Sequence, residues 1–157
     1  MVSSITDRRA KVLADVEEQM ARRSEMPEFE KNDSESKLIS LEFKDHKPTI
    51  IVTGLFKNLT PKMYDWYMEN VLEHCTKVDK ANVMVQLEAH DDHKIVHQRI
   101  MTPVMVGNRS MIQTMWKDYN PEGVSIYCST TKGNEALYEK YAKEMGKDVI
   151  AECHFAY

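Results

Sequence analysis

The densest run of groups able to do chemistry is His90-Asp91-Asp92-His93, with His97 four residues further on. Imidazoles and carboxylates at close spacing are the ligand types of a divalent transition metal. On an extended strand, however, His93 and His97 share a face about 13 Å apart, too far to meet on one ion without a bend. Asp-Asp flanked by polar residues also has the composition of a hairpin turn, so a turn and no metal is the expectation. The three cysteines, Cys75, Cys128 and Cys153, are far apart and lack CxxC spacing. That argues against a disulfide frame or zinc site and suits a reducing compartment. A nucleophilic thiol needs a neighbouring base and an exposed, electropositive setting. Cys128 and Cys153 instead alternate with apolar residues, which predicts buried structural thiols. No Gly-rich phosphate loop and no isolated carboxylate pair stands out, so neither an enzyme nor a cofactor is expected.

Two arginines, Arg99 and Arg109, interrupt otherwise apolar runs. Burying a lone guanidinium is costly, so each either points to solvent or meets a carboxylate or ligand head group in a cavity wall. The net charge of -4 and a pI near 5.9 argue against a nucleic-acid surface, which needs concentrated positive charge. No apolar run approaches the roughly 20 residues of a membrane span. The N-terminus has no signal-peptide core, and Asp7, Asp15, Glu17 and Glu18 are foreign to a transit peptide. The expectation is a soluble, cytoplasmic protein.

These side chains need elements to position them. Residues 1–23 hold an amphipathic helix starting near Ile5, with Ile5, Val12, Leu13, Val16 and Met20 on one stripe. Residues 24–37, acidic and broken by Pro27, read as a linker. The sheet domain then occupies 38–157. Leu38–Phe43 and Thr49–Thr53 are short strands around an Asp-His-Lys-Pro turn. Thr60-Pro61 opens a helix through His74, since proline suits a first helical position. Asn82–Ala89 alternates with Val83, Val85 and Leu87 on one face. Strands through His97 and Ile112–Trp116 follow, then one through Ile126 and Cys128, separated by Pro103, Gly107-Asn108 and Asn120–Gly123. Such short punctuated breaks predict an antiparallel meander, with one drier and one wetter face. Asn134 caps a helix ended by Gly146, and 147–157 is a last strand.

Three stretches in this meander, His97-Gln-Arg-Ile-Met-Thr-Pro103, Asn108-Arg-Ser-Met-Ile112 and Tyr127-Cys-Ser-Thr130, resemble the START lipid-transfer family. In that family a strand ends in Thr-Pro or Trp-Pro, an Asn/Asp-Arg-Asp/Ser pair opens the next, and a later strand ends in Ser-Ser. The helix after Leu59-Thr60-Pro61 is similar to the family's first sheet-packing helix, and the likeness covers roughly Leu38 to Thr130. It implies an α+β helix-grip fold, a curved antiparallel sheet wrapped around a long C-terminal helix and a lipid-sized cavity. The drier strand faces would then line that cavity: Val85 and Leu87, Arg99 and Met101. Arg109, Ile112, Thr114 and Trp116 would follow, and then Ile126, Cys128, Cys153 and Phe155. Flexible methionine side chains suit a variable apolar ligand. The chain departs from the family in its helix at Asn134–Met145 and in stopping before a closing helix. The resemblance implies non-catalytic carriage of a lipid or other apolar small molecule. The alternative is an assembly subunit whose open sheet face is covered by a partner chain or a second copy.

Overall fold

The computed structural model describes residues 5–21, 30–31, 37–42, 48–53, 58–103, 105–120 and 122–156. The chain divides into two compact units, one of Leu13–Thr60 and one of Met1–Val12 with Pro61–Tyr157. Helix α1 (Ile5–Ala21) is the expected N-terminal helix. Of its apolar stripe, Val12 is buried and Leu13 half-buried. The side chains of Ile5, Val16 and Met20 lie outside the described residues. In the Leu13–Thr60 unit, β1 (Glu30–Lys31), β2 (Lys37–Glu42) and β3 (Pro48–Thr53) form a three-stranded antiparallel sheet. β2 and β3 are the two short strands read from the sequence, and they make a sheet of their own. Most of the expected 24–37 linker lies outside the described residues, apart from Glu30–Lys31 and Lys37.

The other unit is built on a larger α+β sheet. Helices α2 (Pro61–Glu69) and α3 (Val71–Val78) precede β4 (Asn82–Ala89), β5 (Lys94–Ile100), β6 (Arg109–Tyr119) and β7 (Ser125–Thr130). These four strands are the expected antiparallel meander. Helices α4 (Glu135–Lys140) and α5 (Ala142–Met145) follow, then β8 (Val149–Ile150) and β9 (His154–Ala156). The sheet is open and mostly antiparallel, in the order β4-β5-β6-β7-β9. β8 pairs parallel to Arg109 and Ser110 of β6.

Three expectations need correction. The helix from Pro61 breaks at Asn70, whose side-chain amide donates to the Trp66 carbonyl at 2.7 Å. That bond shares the Trp66 carbonyl with the Asn70 backbone N–H, which still donates to it at 3.2 Å. Asn134 stands before α4 but makes no side-chain cap, because its amide is spent on the sheet. Residues 147–157 are not one strand: the chain leaves β6 after β8, then joins β7 as β9. The two-way exchange between Thr131 and Cys153 (Cys153 N–H to Thr131 Oγ1, 3.0 Å) fixes the second approach.

The wetter face is not wet. Strand register places Met84, Val96, Gln98, Met111, Gln113, Met115, Lys117, Tyr127 and Ser129 on one face, and α2 covers it through Tyr64 and Asp65 against Tyr127. Val96, Met111, Gln113, Tyr127 and Ser129 are all buried there. Burial of the polar members is possible because they satisfy one another. Ser129 Oγ donates to Gln113, Gln113 donates to Gln98, and Gln98 donates to Asn82 at 2.8 Å, a chain of bonds across four strands. The other face holds the core of Ile95, Ile112 and Met145, packed by Leu87, Leu137, Tyr138 and Tyr141.

Candidate functional site

A cavity of about 230 Å³ lies between the α2–α3 corner and the sheet, beside the β4–β5 hairpin. The break at Asn70 positions its helical wall, where Met68 precedes the break and Val71 and Leu72 follow it. Met115 lies on the sheet side of this lining, which is mostly apolar. Trp116 and Cys128, paired across β6 and β7, also border it, although strand alternation puts their side chains on the opposite face from Met115, Lys117 and Tyr127. Trp116 is 4% exposed, and its indole N–H has no hydrogen-bond partner among the described residues.

The rim is charged and largely self-paired. Lys117 Nζ sits 3.3 Å from both Asp65 and Glu69 and over the rings of Tyr119 and Tyr127. Burial alone would lower the Lys117 pKa, but Tyr127, Glu69 and Asp65 together outweigh it and raise the value. The Tyr127 hydroxyl donates to Asp65 at 3.1 Å, and burial pushes its pKa up to about 12. Asp65 is held below the usual carboxylate range, first by a hydrogen bond from Ser125, then by Tyr127 and Lys117. In the hairpin, the His90 and His93 rings stack 4.3 Å apart, and His93 Nδ1 lies 2.7 Å from Asp92. The hydrogen bond from His93 keeps Asp92 below its ordinary range. His90-Asp91-Asp92 is the expected turn, and no group of three potential metal ligands occurs among the described residues.

Of the residues the resemblance places in a cavity, Trp116 and Cys128 border this one. The others divide. Leu87 packs against the core on the far face, where Ile112 is fully buried. Thr114, also buried, donates to Asn134 at 2.9 Å. Val85 and Met101 are exposed, and Ile126 is half-buried. Arg99 takes the paired option: Nε and Nη2 grip Asp148 at 2.6 and 3.0 Å. Arg109 donates to the Gly107 carbonyl. Cys153 contacts Met111 through sulfur at 3.4 Å, and Phe155 pairs with Ser129 in β9, its side chain outside the described residues. Burial pushes the Cys128 thiol up to about 11 and that of Cys153 to about 12, as expected of structural cysteines.

Sequence reasoning did not single out most of this lining. Val71 and Leu72 were legible as the apolar side of a sheet-packing helix, but the break at Asn70 that opens the space was not. Met115 was assigned to no site because it falls between Thr114 and Trp116 in the alternation.

On the far face lie two further polar clusters. His97 Nε2 is 3.0 Å from Ser110 Oγ, which donates to Asp148 at 2.8 Å. Ser110 is fully buried, so this constellation has no access for a substrate. Asn134 donates to the Ile112 and Thr130 carbonyls and accepts from Thr114 and, at 2.6 Å, from Arg8 of α1. Arg9 reaches Asp118 at 3.4 Å and Asp92 at 3.7 Å. The first turns of α1 therefore lie on this face. No helix among the described residues is long and apolar enough to cross a membrane. No protein-family model and no curated protein matches the chain.

Proposed function

We propose that the protein is a non-catalytic binder of a small apolar molecule, held in the cavity between α2–α3 and the sheet. The observation that carries this is the lining: Met68, Val71, Leu72 and Met115 contribute to the mostly apolar surface of a half-open space of about 230 Å³. An apolar cavity of ~150 Å³ takes up benzene, and pockets for drug-sized ligands start at roughly 300 Å³. The occupant is therefore a one-ring or short single-chain molecule, not a diacyl lipid. Unbranched thioethers at Met68 and Met115 let the walls adapt to it.

Support for a non-catalytic role comes from the bordering groups. Cys128 and Tyr127 keep their protons at neutral pH, and Lys117 is tied to two carboxylates. A general acid or base works best with a pKa near the operating pH, and these three are far from it. Carriage within the cytoplasm, in a helix-grip domain of START type, is the context the sequence resemblance offers. An assembly role in which a partner covers an open sheet face has less to explain, since α4–α5 and the first turns of α1 occupy that face. Native mass spectrometry of the purified full chain, with organic extraction, tests the proposal. A single small apolar molecule bound one to one is expected. A ligand-free chain that takes up neither 1-octanol nor octanoate would refute it.

A further inference from the structure

Resting on that binding role, we infer that the ligand is a short monoanionic amphiphile, an alkyl or aryl carboxylate, whose head pairs with Lys94. Lys94 opens β5 opposite Met115, so register puts its side chain on the cavity's face, and it forms part of the lining. It is half-buried, and no ion pair or side-chain hydrogen bond engages it among the described residues. A half-buried lysine whose ammonium has no counter-charge offers an anion a pairing site.

The other rim charges, Asp91 apart, are already matched. Lys117 stands between Asp65 and Glu69, so the field there repels a second anion. Asp92 is held by His93 and lies near Arg9, and Asp91 is exposed to water, which screens it. The apolar walls then take the tail and Lys94 takes the head. By the benzene scale, about ten non-hydrogen atoms fit, the size of octanoate.

The test is calorimetric titration of the full chain with octanoate, 1-octanol and octylamine. Octanoate should bind tightest and octylamine weakest. Lys94→Gln should weaken octanoate about tenfold, the worth of one charge-assisted hydrogen bond, and leave octanol unchanged. Lys94→Arg should retain the preference for the acid. Thermal unfolding of each variant shows that the fold is kept. Octanol binding as tightly as octanoate, or an unchanged octanoate affinity in Lys94→Gln, overturns the assignment of the head group alone. Binding of none of the three overturns both this assignment and the cavity's role.

Discussion

Asn134 does the work of several residues. A buried amide must find partners for two donors and one acceptor, and Asn134 finds them all within β6, β7 and α1. Asn134→Ala removes the donors to the Ile112 and Thr130 carbonyls and the acceptor for Thr114 and Arg8. Leaving buried polar groups short of a partner costs ~1–3 kcal/mol each, so a loss of about 3 kcal/mol in urea unfolding is expected. Asn134→Asp should be nearly as damaging, because a carboxylate cannot donate to the two carbonyls. His97 supplies a second residue-scale prediction. Burial lowers its pKa, so the fold favours the neutral ring. Its contribution is therefore present above the unfolded value near 6.5 and is lost as pH falls below it. Stability followed by chemical unfolding should decline from about pH 6.5 downward, and His97→Gln should flatten that decline.

At the scale of elements, α4 is fastened to the edge strand β4 through Glu88. Its carboxylate accepts from the Tyr141 hydroxyl at 2.6 Å and from Lys140 Nζ at 2.9 Å, and lies 3.0 Å from His90. The hydrogen bond from Tyr141, then that from Lys140, holds the Glu88 pKa down to about 2. A depressed carboxylate stabilises above its unfolded pKa and loses that contribution as pH falls through the folded one. Acid unfolding should thus steepen between about pH 4.5 and 2, below the window of His97. Glu88→Gln should remove that lower step and leave the upper one. The elements themselves were legible in uneven measure. The alternation of Val83, Val85 and Leu87 gave β4 its full extent, and Pro61 and Gly146 marked helix ends through backbone constraints that act locally. Gly146, with φ of 60° and ψ of −120°, ends α5 in a positive-φ conformation that glycine adopts without steric cost, though not in the αL geometry of the usual helix terminator. The breaks at Asn70 and Tyr141 were not legible, because they depend on where one amide and one turn happen to bond. The parallel pairing of β8 with β6 depends on Asp148 meeting Arg99 and Ser110, contacts 49 and 38 residues apart.

At the scale of the molecule, the misreading was of what a polar residue in a strand implies. Gln113 and Ser129 read as part of a wetter face, yet they pair with each other and with Gln98 and let α2–α3 close over them. Mutual satisfaction of side chains on different strands leaves no local pattern, so the space under α2–α3 was not legible from the sequence. The proposed function requires that site to be a receptacle for an apolar molecule. The most direct measurement is the heat exchanged by the full chain during titration with 1-octanol. A saturable change is predicted, weakened several-fold when Val71→Phe fills part of the cavity. An unchanging or merely linear response, or an equal one in the filled variant, would contradict it.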